Sequence, residues 1–315
     1  MRLVTFQEIG SSEARLGALS PADKVIDLQE RHRALFGGSL SELASMLALI
    51  EGGPAVLDLA RSLAASEGEE LSIGKDVRLL APIPLPPQIR DSMNFLGHLV
   101  NAIDGRNRRN GVTERTKAQQ ERIETFLRRP SWYKCNRFSV AGPDVEVTWP
   151  HYSNYVDYEH ELACVLWKGG KNIPVEEAEN HIFGYMNFND LSARDVQPDE
   201  MAMCGPTKSK DFDDGNVFGP WILTADEFDP KTARMRSWVN GELINEGRMA
   251  DMHYSFPQVI SYMSQDETLY PGEIIGSGTV AGGCRLEFGE QLNFGDTVEI
   301  ETDGLGRLKV RIAER

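Results

Sequence analysis

One stretch constrains this chain more than any other: Val156 to Trp167, reading VDYEHELACVLW. In a β-strand, side chains alternate faces, so Glu159 and Glu161 share one face with Ala163, Val165 and Trp167, about 7 Å apart along the backbone. The opposite face, Tyr158, His160, Leu162, Cys164 and Leu166, is also mostly apolar. A strand apolar on both faces is usually covered on both. Two like charges there are costly to bury unless a cation neutralises them. Spacing alone leaves a second reading open, an exposed strand end with both glutamates in water, because surface carboxylates far outnumber ligands.

With 315 residues, the chain is long enough for a large domain plus a smaller one and can bury a core without covalent staples. Its four cysteines, Cys135, Cys164, Cys204 and Cys284, show no CxxC spacing, which favours reduced thiols over a disulfide framework or a zinc knuckle. The N-terminus lacks a charged-then-apolar leader and no apolar run approaches a membrane span, so a cytoplasmic protein is expected. The net charge of -15 argues against nucleic-acid and anionic-membrane partners, which demand a basic footprint. Between Asp104 and Arg137, however, ten Lys or Arg stand against four Asp or Glu. Such an island either draws in a small carboxylate substrate or is a solvated helix, and RTKAQQERIETFLRR reads as a helix.

Residues 1–85 read as a small α/β unit. RLVTF and ARLGAL are strand-like, VIDLQERHRALFG passes from strand to helix, and SLSELASMLALIEG is helical with Ser39 or Ser41 as cap and Gly52–Gly53 as stop. A further helix, PAVLDLARSLAASEG, follows, and the stiff PIPLPP joint marks the boundary to a second domain, 86–315. There IRDSMNFLGHLVNAIDG reads as a loop entering a short helix, PVEEAENHIFG and SFPQVISYMSQ as helices, and most of the rest as strands with NG, DG and PG turns. The expected class is α+β, mainly β, in a closed or highly coiled sheet decorated by helices.

YMNFNDLSARDVQ is an apolar segment ending in a polar cluster, which makes Asp190 a candidate third oxygen ligand beside Glu159 and Glu161. Carboxylates without a Cys or His cluster favour a hard ion, Mg²⁺ first, with Mn²⁺ or Ca²⁺ as alternatives. Neither an EF-hand loop nor HExxH is present. GSGTVAGG, from Gly276, mimics a dinucleotide fingerprint but leads into loop and strand rather than a helix, so it reads as backbone making a close approach or a tight turn. Without a GxSxG elbow, a serine hydrolase triad has no support.

Taken together, DYEHELACV, NDLSARDVQ, KDFDDGNVFGPWI, GELINEGRMADMHYSFPQVISYMSQ, LYPGEIIGSGT and a downstream LEF resemble the fumarylacetoacetate hydrolase superfamily in order and spacing, over roughly Asp91 to Leu308. The resemblance implies a mixed β-roll as the larger domain, a homodimer and a small carboxylate substrate. It also implies that Glu159, Glu161, Asp190 and Asp91 bind the metal and that His98 activates water while Glu287 orients it. Lys210 would stabilise developing negative charge, and Arg194, Gln197, Tyr133 and Thr279 would contact substrate. Two positions depart from family patterns: Asn101 stands where short members carry a glutamate, and Met93 where the hydrolase proper has a tyrosine. The implied activity is metal-dependent hydrolysis of a C–C bond in a 1,3-diketo acid. The alternatives are 2-oxo acid decarboxylation, enol-keto isomerisation or hydration.

Overall fold

The computed structural model describes residues 1–313. The chain begins with β1 (Arg2–Glu8), β2 (Arg15–Leu19) and β3 (Val25–Asp27), an antiparallel meander, followed by α1 (Leu28–Phe36) and α2 (Met46–Ala65). Asp27 caps α1 by accepting from the Glu30 amide at 2.9 Å. The cap of α2 is Ser45 rather than Ser39 or Ser41, because Ser41–Leu43 forms its own turn of 3₁₀-helix. Gly53, at φ 73, breaks α2 just before Pro54, at the stop its sequence predicts.

β4 (Val77–Leu79) returns to β1, and β5 (Ile89–Ser92) opens the second part, so IRDS is a strand rather than a loop. The helix after it, α3 (Leu96–Arg109), is longer than expected, and α4 (Lys117–Phe126) starts in a Thr116–Gln119 capping box. β6 (Trp132–Cys135), β7 (Val140–Ala141), β8 (Val145–Val147), β9 (Val156–Asp157) and β10 (His160–Leu166) follow. Only Val175–Ala178 of PVEEAENHIFG is α-helical (α5). Its IFG belongs to β11 (Ile182–Asp190), where pairing with β10 outweighs local helix propensity. β12 (Ser192–Ala193), α6 (Gln197–Met203), β13 (Asn216–Thr224), β14 (Arg234–Val239), β15 (Glu242–Arg248), α7 (Phe256–Met263), β16 (Ile274–Gly276), β17 (Thr297–Thr302) and β18 (Arg307–Ile312) complete the chain.

The main sheet runs β3-β2-β1-β13-β11-β10-β16-β5-β6, with β4 on β1 and β7 on β13. It is mixed, since β16–β5 and β13–β7 are parallel. A five-stranded sheet, β15-β14-β17-β18-β8, packs on it through Tyr158, Leu191, Val217, Ile300 and Leu308. The architecture is α+β. We propose the domain division at residue 85, but the two parts share one sheet, because β1 pairs with β13, and one apolar core in which Leu3, Leu49 and Leu57 join Ala163, Val165 and Phe188. The other face of β10, Leu162, Cys164 and Leu166, is buried with Ile275, Val259 and Ile260. The central strand is therefore covered on both sides, as its composition predicts. All four cysteines are free, and no helix among the described residues is long and apolar enough to cross a membrane.

Candidate active site

Strand order builds the site. β11, β10, β16 and β5 are neighbours, and they bring Asp190, Glu161 and Asp91 to one end of the sheet. Asp91 and Glu161 lie on strands separated by β16, and neighbouring strands stand about 4.8 Å apart. Their side chains meet because the residue between them is Gly276, opposite Asp91 and Ala163 in the register. A Cβ on Gly276 would lie 2.5 Å from Asp91 Oδ1 and 3.0 Å from Glu161 Oε2. The glycine run thus makes the close approach its sequence suggests, toward carboxylates rather than a pyrophosphate. The Gly278 amide donates to Glu161 Oε2 at 2.9 Å, and Thr279 Oγ1 donates to Glu161 Oε1 at 3.4 Å.

Ligand atoms of Asp91, Glu161 and Asp190 all lie within 4.8 Å of one another. The three residues are buried, and Asp91 Oδ1 and Asp190 Oδ1 have no hydrogen-bond partner among the described residues. Burial, compounded by Asp190, raises the Asp91 pKa, and burial with Asp91 beside it raises that of Glu161. Asp190 is pushed up to about 6 by burial, held back by Lys210. Buried, mutually repelling carboxylates with orphaned oxygens fit a hard divalent cation bound by oxygen.

Glu159, the fourth expected ligand, is already paired with cations of the chain. It lies just before β10, and its Oε1 pairs with Arg194 Nη1 at 2.7 Å and its Oε2 with Lys210 Nζ at 2.5 Å. Burial alone would raise its pKa, but the charges of Arg194 and Lys210 hold it well below the usual carboxylate range. Three of the four expected ligands converge, and the fourth is compensated by the chain's own cations. Lys210 Nζ also bonds Asp190 Oδ2 and, at 2.7 Å, Ser192 Oγ. Tyr133 donates its hydroxyl to Asp190 Oδ2 at 2.8 Å.

His98 sits in the first turn of α3 with Nδ1 2.8 Å from Glu287 Oε1 and Nε2 3.7 Å from Glu159 Oε1. The second Glu287 oxygen accepts from Asn101 Nδ2 at 2.9 Å and from the Gly282 amide at 2.7 Å. Asn101, one turn after His98, therefore braces Glu287.

A cavity of about 530 Å³ joins these groups, lined by Asp91, His98, Tyr133, Glu159, Glu161, Gln197, Lys210 and Thr279 among others. Arg194 is absent from that lining. It is 3% exposed and divided between Glu159 and Asp157, the latter through Nε at 2.9 Å. Sequence reasoning overlooked Asp157, which holds Arg194 and accepts from the Arg285 and Leu286 amides at 2.8 and 3.0 Å, fixing the turn that carries Glu287. An acidic residue two before Glu159 in a buried strand was the available signal. Also overlooked were Cys284, whose Sγ lies 3.7 Å from Glu287 Oε1, and Arg122, which lines the cavity.

The family profile described as fumarylacetoacetate (FAA) hydrolase C-terminal matches residues 101–313. The mitochondrial oxaloacetate tautomerase fahd2 of Xenopus laevis is 31% identical over 314 residues, covering 98% of this chain and 89% of that protein. Among solved structures, fumarylacetoacetate hydrolase from Exiguobacterium antarcticum superposes with a TM-score of 0.76 at 26% identity over 100% of both chains. Maleylpyruvate hydrolase from Sphingobium sp. SYK-6, in complex with manganese(II) and pyruvate, shares the fold with a TM-score of 0.73 at 24% identity over 99% of each chain. With the profile spanning most of its length and a relative aligned almost end to end, this chain belongs to the fumarylacetoacetate hydrolase superfamily.

Proposed function

We propose that this protein is a divalent-metal-dependent hydrolase that cleaves a C–C bond in a 1,3-diketo acid of the fumarylacetoacetate or acylpyruvate type, with Mg²⁺ as its metal and a homodimer as its working form. The observation that carries the reading is the His98–Glu287 pair, opening onto the same cavity as Asp91 and Glu161. Asp91, Glu161 and Asp190 would hold a hard cation, which would supply Lewis-acid polarisation of a substrate carbonyl. His98 donates its Nδ1–H to Glu287 Oε1, which leaves the Nε2 lone pair facing the cavity. His98 Nε2 takes a proton from water as the water oxygen bonds to the carbonyl carbon. The C–C bond beside that carbon then breaks, its electron pair leaving as an enolate whose charge the Lys210 ammonium offsets. Returning the proton from His98 to the leaving carbon completes the balance.

A second reading, oxaloacetate tautomerase, is favoured by the name of the Xenopus relative that aligns with nearly the whole chain. It uses His98 to move a proton between carbon and oxygen, with no attacking water. The test follows acylpyruvates, fumarylacetoacetate and oxaloacetate side by side by absorbance, with Mg²⁺- or Mn²⁺-loaded wild type and His98→Ala. One 1,3-diketo acid should lose its chromophore, about 10²- to 10⁴-fold more slowly in the variant. Undiminished cleavage by His98→Ala removes the histidine from the mechanism. Keto-enol exchange of oxaloacetate without cleavage of any diketo acid replaces the hydrolase with the tautomerase.

A further inference from the structure

Two arginines beside the cavity have no acidic partner. Arg122, on α4, lines the large cavity and also a small one of about 50 Å³ that reaches His98, Glu159 and Gln197. Arg106, on α3, lines the small cavity and donates through Nη2 to Gln197 Oε1 at 3.1 Å. Both residues are half-buried. Among the described residues no carboxylate pairs with either. Burial alone lowers the Arg122 pKa, while burial and the adjacent charges of Arg194 and Arg122 pull Arg106 down to about 10.

Nearby cations have partners of their own: Arg115, between the two helices, grips Asp104 through two nitrogens at 2.7 and 2.6 Å, Lys117 of α4 lies 3.6 Å from Glu121, and Arg108 and Arg109 of α3 donate at 2.6 Å to the Glu287 carbonyl and to Gln291 Oε1. Like charges held together and partly desolvated are unfavourable until an anion joins them. Gln197 adds a third donor: its carbonyl is taken by Arg106 and, at 3.4 Å, by Arg194, and its amide NH₂ has no hydrogen-bond partner among the described residues. Arg122 is also on a firm support. Its neighbour Ile123 and Phe126 pack with Leu99 and Ile103 of α3, so the guanidinium is presented by two docked helices rather than by a loose loop.

We propose that Arg122 is a specificity-determining residue that receives a second carboxylate, at the end of the substrate remote from the Asp91, Glu161 and Asp190 cluster, so that the site selects dicarboxylates over monocarboxylates. This rests on the 2-oxo acid reading for the near end of the substrate. A guanidinium pairs with a carboxylate through two parallel N–H donors, a geometry an ammonium reproduces only in part.

The test is calorimetric titration of the Mn²⁺-loaded protein with pyruvate, which has one carboxylate, and with 2-oxoglutarate, which has a second. Wild type should bind 2-oxoglutarate more tightly. Arg122→Ala should weaken that binding about tenfold and bring the two affinities together, and Arg122→Lys should recover part of the preference. Equal weakening of both ligands, an unchanged ratio, or no preference in the wild type overturns the proposal. Diketo acid cleavage is read separately: a dicarboxylate preference without cleavage sinks the hydrolase reading and leaves Arg122 its role. Cleavage without the preference sinks the role of Arg122 alone.

Discussion

Glu159 and Glu161 are two residues apart and both buried, yet their environments push them in opposite directions. Glu159 faces Arg194 and Lys210 and stays ionised far into acid, whereas Glu161 faces Asp91 and resists ionisation. Positive charge is short on the Asp91 side, which is where the proposed cation would restore the balance. Gly276 makes that side possible by leaving room above β16. Gly276→Ala should therefore force Asp91 and Glu161 apart, lowering Mn²⁺ affinity at least tenfold in calorimetry and destabilising the fold by about 1–3 kcal/mol through overpacking. Unaltered Mn²⁺ binding by a folded Gly276→Ala would show that these carboxylates do not form the metal site.

At the level of elements, the segment carrying Lys210 is held by α6. Glu200 accepts from the Thr207 amide and hydroxyl at 2.9 and 2.7 Å and from the Ser209 amide and hydroxyl at 3.0 and 2.6 Å. Partial burial would raise its pKa, but the bonds from Ser209 and Thr207 outweigh that and bring it down to about 2 from 4.5. A carboxyl depressed in the folded state binds its proton more readily in the unfolded chain, so its stabilisation is complete above pH 4.5 and is lost as pH falls through about 2. Glu200→Gln should cost on the order of 1 kcal/mol at neutral pH, modest because the group is partly solvated. In denaturant titrations the gap between wild type and variant should close between pH 4.5 and 2. A pH-independent gap would refute the assignment.

For the whole molecule, a divalent ion that binds the folded chain and not the unfolded one must stabilise it, by about 2.7 kcal/mol at a hundredfold excess over Kd. Thermal unfolding after chelation should fall by several degrees and recover with Mg²⁺ or Mn²⁺. Identical melting with and without metal would count against a cation in the buried carboxylate cluster.

Several features could be read from the chain alone because they depend on local periodicity or backbone chemistry. The two-sided burial of β10, the break at Gly53 and the close approach at Gly276 are of this kind, and the co-ordered motifs from Asp91 to Leu308 carry the family. The IFG of β11 was misread as helix because strand pairing is a non-local gain that propensity does not contain. Likewise, only the fold brings His98 to Glu287, 189 residues away, and spans β16 so that Asp91 meets Glu161. It also decides that Glu159 is neutralised by Arg194 and Lys210 while Arg122 has no acidic partner among the described residues. The sequence by itself determined which groups can ionise and which face of a strand they occupy. Tertiary structure decided which charges compensate one another, because Coulomb energy and desolvation depend on distances through space and on burial, and neither is set by position along the chain.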